Sequence, residues 1–334
     1  MKYNNLLIII IFLVCSCSKR NNDNGINLND KGRLFISQIA DSVSYIHLEM
    51  NEQCLLGDIS DLLFQKNIYY VFDGQTNSIY LFDEKGFFVN KIFKQGRGPG
   101  EYVHPSSFFI DPEDNIHIID LLLKKILVYD NKGDFLDEFW IEEYVRDFCV
   151  INDKYFFYMP DQNINSKQGL YLYDTKNKQY EEFIKIKGTS KSFMPWYITS
   201  LGGNDSYSVV DPVNNYVYYF NYTGVFETKK FIFFPLADDV KNEDMNAFSL
   251  VFFNESNCFM MWTFASVMYE NGMKIYLYNK NNLQGKVYDT VINDLDNREL
   301  GIPTRYSNNN KFIFWMHSDN EDNNPILQIL HLKQ

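Results

Sequence analysis

The sequence predicts an all-β protein, a six-bladed β-propeller with four-stranded blades whose last blade is closed by an N-terminal strand. Three observations predict it. Aromatic residues make up 17% of the 334 residues and fall in short alternating or β-branched runs, which is strand composition. No long stretch combines a 3.6-residue period with an N-cap and a terminal glycine, so helices are not expected. The third observation is a landmark that recurs five times: an apolar strand that ends in a polar turn.

The first copy is Ile79-Tyr80-Leu81-Phe82-Asp83-Glu84-Lys85-Gly86, and the second is Ile126-Leu127-Val128-Tyr129-Asp130-Asn131-Lys132-Gly133. The other three occupy 170–177, 217–224 and 275–282. Measured at the aromatic before each turn (Phe82, Tyr129, Tyr173, Phe220 and Tyr278), the spacings are 47, 44, 47 and 58 residues. A period of about 45 residues that holds four short strands is a propeller blade.

Taken in order, the chain opens with Lys2 and an apolar run from Leu6 to Val14. That is a secretory signal, too short to span a membrane. Cys17, preceded by Ser16 and with Val14 three residues upstream, fits a bacterial lipobox. Cleavage there would remove residues 1–16, leave 318 residues and take the net charge from −12 to −13. Acyl chains on Cys17 would hold the protein to a membrane. Residues 17–31 are polar and rich in Asn, and read as a flexible tether. Residues 32–334 then read as a single propeller domain.

In the first blade, 68–72 and 78–82 are successive strands, and 87–93 follows the Asp83–Gly86 turn. The connector Gly96-Arg97-Gly98-Pro99-Gly100-Glu101-Tyr102 leads to a strand at 106–110. The turn Asp111-Pro112-Glu113-Asp114-Asn115 comes next, and 116–119 follows it. Asp and Gly in such turns supply local hydrogen bonds and positive φ. At the other end, 312–316 and 326–332 belong to a sixth blade that lacks its outer strand. Val43-Ser44-Tyr45-Ile46-His47-Leu48 is an unassigned strand near the start. Adding it to the sixth blade closes the ring and removes two sheet edges.

The composition also excludes function classes. An acidic chain with scattered Lys and Arg repels phosphate backbones, so no nucleic-acid partner is expected. Cys54, Cys149 and Cys258 are odd in number and lie in or beside apolar runs, which suggests buried small residues without a disulfide frame. No nucleophile elbow, P-loop or His-Glu-x-x-His is present. His47, His104, His117, His317 and His331 are dispersed. Asp294-Leu295-Asp296 and Asp319-Asn320-Glu321-Asp322 lack the twelve-residue Ca²⁺-loop pattern. Neither a cofactor nor a metal is expected.

The connector Gly96-Arg97-Gly98-Pro99-Gly100-Glu101-Tyr102 resembles the Gly-x-Gly-Pro-Gly-Glu-Tyr signature of the six-bladed β-propeller lipoproteins of Bacteroidetes. Ile46-His47-Leu48-Glu49 is similar to that family's N-terminal I-x-L-E strand. Asp73 and Asp120, which close second strands, match its pattern too. The resemblance covers nearly the whole mature chain and is related to TolB-like and NHL-type propellers. It implies an exported, lipid-anchored protein of the cell envelope and outer membrane that acts in binding, and it carries over no catalytic residue. Surface-exported relatives carry an acidic signal after the lipidated Cys. Here the segment is Ser18-Lys19-Arg20-Asn21-Asn22-Asp23, so both sides of the outer membrane stay open.

In such a blade, the turns after the first and third strands share one face. The connections after the second strand and between blades share the other. The second set is longer here: 95–105, 160–169, 188–197, 235–247, 263–273 and 294–304. Long loops on a rigid scaffold are where binding residues sit, so that face is the expected functional one. Within the connector, Arg97 can clamp a carboxylate or sulfate, with Glu101 and Tyr102 beside it. Ion pairing of Arg97 and Glu101 between blades is the structural alternative. Asp73, Asp120, Arg146 and Arg305 are further binding candidates. Trp196, Tyr197 and Trp262 can stack on a sugar ring; their structural alternative is packing between blades.

The expected function is a module on that face that binds a carbohydrate, peptide or envelope protein. One alternative is a polysaccharide hydrolase or lyase using carboxylates at the channel mouth, for which a separation of about 5–9.5 Å would speak. Another is a structural subunit of an envelope complex, marked by a large exposed apolar patch.

Overall fold

The computed structural model describes residues 32–160, 167–186, 188, 194, 196–201, 206–211, 213–214, 216–230, 249–266, 274–308, 310–320 and 323–334. The expected signal segment, Cys17, the tether and the 235–247 loop lie outside the described residues. The described residues form six antiparallel four-stranded sheets arranged as a propeller. Blade 1 runs Asp61–Gln65, Ile68–Asp73, Ser78–Asp83, Phe88–Ile92 from the axis outward. Blade 2 is Pro105–Ile110, Ile116–Asp120, Lys125–Tyr129, Phe135–Trp140, and blade 3 is Asp147–Ile151, Lys154–Met159, Gly169–Asp174, Gln179–Lys185. Blade 4 is Ile198–Ser200, Tyr207–Asp211, Tyr216–Asn221, Gly224–Lys230, and blade 5 is Ser249–Glu255, Phe259–Ser266, Lys274–Asn279, Gln284–Tyr288.

Blade 6 confirms the closure expected from the sequence. Its three inner strands are Ile302–Asn308, Lys311–Met316 and Ile326–Leu332, and its outer strand is Ala40–His47. That strand pairs antiparallel with the last one, from Ala40 opposite Leu332 to His47 opposite Ile326. Pairing the two chain ends covers the edge that each would otherwise present.

The recurring landmark has a local cause. Each copy ends its strand on Asp or Asn, whose side chain accepts the backbone N–H two residues on. Lys85 N donates to Asp83 at 2.8 Å, Lys132 N to Asp130 at 2.9 Å, Lys176 N to Asp174 at 2.8 Å and Thr223 N to Asn221 at 2.8 Å. Such a side chain stands in for a backbone partner and turns the chain.

One element was not anticipated. Arg33–Phe35 forms a two-stranded parallel pair with Thr290–Ile292. Three residues in parallel pairing carry no periodic signature, and the partner is distant in sequence. The strap is tied down by Gly32 N donating to Asp289 at 3.0 Å and Ser37 N donating to Asp294 at 2.9 Å. Leu34 of the strap, and Ile36 and Ile39 after it, are buried against residues of blades 5 and 6.

Aromatic and aliphatic faces fill the spaces between blades. The innermost strand Asp147–Ile151 is buried throughout, whereas outer strands such as Phe135–Trp140 are largely exposed. Cys54, Cys149 and Cys258 are free thiols buried in these layers, and burial pushes the Cys54 thiol up to about 12.

Candidate functional site at the channel mouth

Each innermost strand starts at the face carrying the inter-blade connections. Asp61 and Asp147 are the first residues of these strands in blades 1 and 3. Arg305 sits within that of blade 6 and reaches across the axis to both. Its Nη2 and Nε donate to Asp61, the latter at 3.3 Å, and Nη1 donates to Asp147 at 2.9 Å. Nη2 also donates to the Phe108 carbonyl of blade 2 at 2.8 Å. Arg305 is 3% exposed and Asp147 1%.

Asp147 is a second hub. It accepts from Ser107 Oγ of blade 2 at 2.9 Å, from Phe148 N at 2.9 Å, and from Tyr197 N and Ile198 N at the start of blade 4 at 2.8 and 2.9 Å. The two side chains therefore join five blades at the axis. Burial opposes the Arg305 charge, but the two carboxylates more than offset it and hold the guanidinium above its ordinary value. Burial pushes the Asp61 carboxyl upward, with Arg305 opposing.

Above this plug lies a cleft of about 290 Å³, near the lower end of the range for small-ligand sites. Its walls include Ile59, Trp196, Phe252 and Trp315, all buried, with Asp58 and Asp61 as its carboxylates. The Trp196 and Phe252 rings lie 5.4 Å apart at 60°. Trp196 is 3% exposed, and its Nε1 has no hydrogen-bond partner among the described residues. A buried indole N–H normally has one. Asp58 is half-buried. Burial raises its pKa, the Ile59 N–H opposes that, Asp73 adds to it, and His317 opposes it through its field.

The site residues expected from the sequence divide into three groups. Trp196, Tyr197, Arg146 and Arg305 gather at the channel mouth. Tyr197 stacks on Tyr158 at 4.1 Å and 15°, and lies within the field of Arg146. Tyr102, Asp73, Asp120 and Trp262 are placed inside the fold. Tyr102 is 0% exposed and donates its hydroxyl proton to the Asn77 and Ile92 carbonyls at 2.9 and 3.2 Å. Asp73 accepts from Gly57 N at 2.8 Å and Gln75 N at 2.8 Å, and Asp120 accepts from Leu122 N and Leu123 N, both at 2.8 Å. Trp262 packs on Phe253 with centroids 4.4 Å apart.

Glu101 folds back on its own connector, accepting from Gly98 N at 2.8 Å, and Arg97 is exposed. The contacts to the next blade come instead from the connector backbone. Gly100 N donates to Glu138 at 3.0 Å, and Gly100 O accepts from Tyr129 Oη at 2.9 Å.

Sequence reasoning did not single out Asp58, Asp61, Asp147, Phe252 or Trp315. A usable signal existed in Asp61 and Asp147: an acid at the first position of an innermost strand whose next three residues are apolar.

Among solved structures, the fold is similar to a protein described as exported from Bacteroides fragilis. That match has a TM-score of 0.72 at 18% identity and covers 91% of this chain and 99% of that one. A DUF4221 family member from Bacteroides vulgatus matches with a TM-score of 0.55 at 9% identity, covering 88% and 97%. At such identities the likeness shows the fold. No curated protein matches the chain. The model of a domain of unknown function, DUF4934, matches residues 23–331, and the chain belongs to that family.

Proposed function

We propose that the protein is a lipid-anchored envelope propeller that binds a ligand in the channel-mouth cleft of its long-loop face. The carrying observation is the cleft itself, with its aromatic walls and the buried, unpartnered Nε1 of Trp196. A rigid ring with an aromatic pocket at the axis is suited to capturing one end of a carbohydrate, a peptide or a protein segment. Asp61 and Asp147, which open innermost strands, are both engaged by Arg305. That engagement supports binding over acid–base chemistry. The lipobox around Cys17 supports anchorage at the outer membrane.

The test is a thermal-shift screen against saccharides, glycan fragments and peptides, repeated on Trp196→Ala. A ligand at 100-fold over its Kd adds about 2.7 kcal/mol to stability. Hits that bind Trp196→Ala as tightly as the parent would exclude the cleft.

A second reading, docking in an envelope complex, is favoured by the flank of blades 1 and 2. Phe87, Val89, Phe135, Leu136 and Trp140 are all exposed there. Co-purification of a partner from the native envelope that survives Leu136→Ser with Trp140→Ser would remove that reading.

A further inference from the structure

We infer that the cleft takes an ammonium group on an apolar stem, the amino terminus of a peptide, with Asp58 as counter-ion and Trp196, Phe252 and Trp315 around the first residue. The inference rests on the binding reading above and adds the charge and class of the ligand.

Charge carries the argument. The cleft is lined by two carboxylates and, among the described residues, by no Lys, Arg or His. Asp61 shares the single positive charge of Arg305 with Asp147, so the plug stays net negative. Asp58 has no ion-pair partner among the described residues; Asp73 adds negative field, and His317, which does not line the cleft, opposes it. A partly desolvated carboxylate in an aromatic cleft is stabilised by a cation, and ring faces attract the same cation. An anionic ligand would meet repulsion. A neutral saccharide would leave the Asp58 charge uncompensated.

Trp196 adds a second requirement. Its Nε1 proton needs an acceptor. A peptide amino terminus carries an ammonium group and, two bonds beyond its Cα, a carbonyl oxygen. One ligand can therefore serve both groups, with its first side chain against the rings.

The experiment titrates the full-length protein with the dipeptide amide Phe-Gly-NH₂, its N-acetyl form, N-acetyl-lysine amide and glucose, by calorimetry. The free amine is expected to bind at least about tenfold tighter than the acetylated form. Asp58→Asn is expected to bring those two within about threefold of each other. Its apo melting temperature should not fall, because a carboxylate held above its usual pKa does not contribute stability at neutral pH.

Equal binding of the free and acetylated dipeptides overturns the inference while leaving the cleft as a ligand site. So does glucose binding that is lost in Trp196→Ala without any response to the amines. Preference for N-acetyl-lysine amide over the dipeptide overturns the amino-terminal assignment. If no probe binds and Trp196→Ala changes nothing, the inference and the binding reading fall together.

Discussion

Replacing Arg305 by Met tests whether the axial ion network holds the ring together. The substitution removes the donors to Asp61, Asp147 and the Phe108 carbonyl at once. Asp147 keeps four other donors. Asp61 keeps its own strand's Leu62 N at 2.8 Å, so most of the penalty falls there. Breaking a buried pair by removing one partner costs about 3–5 kcal/mol. The surviving Asp147 donors place this case near the lower end, and the lost carbonyl bond adds about 1 kcal/mol. A total of about 4 kcal/mol corresponds to a fall of about 6 °C in melting temperature for a domain of about 300 residues.

The assay is calorimetry of the parent, Arg305→Met, Asp61→Asn and the double variant. Neutralising Asp61 in the Met background should return about 2 kcal/mol, because it removes the stranded charge. The pH dependence gives an independent sign. Burial already holds the Asp61 carboxyl above its unfolded value, and loss of Arg305 raises it further. A raised carboxyl contributes stability below its unfolded pKa and loses it as pH rises through the folded one. The deficit of Arg305→Met should therefore shrink as pH falls from 7 towards 5. Single-variant costs that add within about 0.5 kcal/mol would refute the network.

Three further outcomes follow from geometry already described. Tyr102→Phe loses the hydroxyl bonds to the Asn77 and Ile92 carbonyls, the second of them buried, and should cost about 1–3 kcal/mol in denaturant unfolding. Gly100→Ala puts a Cβ 2.8 Å from the Phe135 ring at φ +66°, so it should cost more than the ~1–2 kcal/mol of left-handed strain alone. Deleting residues 33–47 exposes the edge of Ile326–Leu332 and should replace a single unfolding transition with aggregation or a broad one, read by light scattering and calorimetry.

The fold was legible because its unit repeats and its turns are local. Asp83, Asp130 and Asp174 bond to backbone only two residues away, so the sequence shows both the residue type and its role. The closing strand was legible by counting: a sixth blade lacked a strand, and 43–48 was the segment without a sheet. The strap at Arg33–Phe35 was not, because its partner lies more than 250 residues on and its length is three.

The site was legible only as residue types. Arg305 and Trp196 were recognisable as unusual, but Asp61 and Asp147 lie 244 and 158 positions from Arg305. No local pattern encodes such a meeting. Tyr102 and Trp262 show the converse problem. In a chain this aromatic, a buried ring between blades and a ring in a pocket look the same in sequence.

The strap has a mechanical consequence. Tension applied from the N-terminal side of residue 32 first loads the Arg33–Phe35 pairing and the Asp289 and Asp294 contacts, and only then the ring-closing strand. Those contacts act as a sacrificial clamp. They precede Ala40–His47 along the chain, so a pull from that side reaches the ring-closing seam only through them.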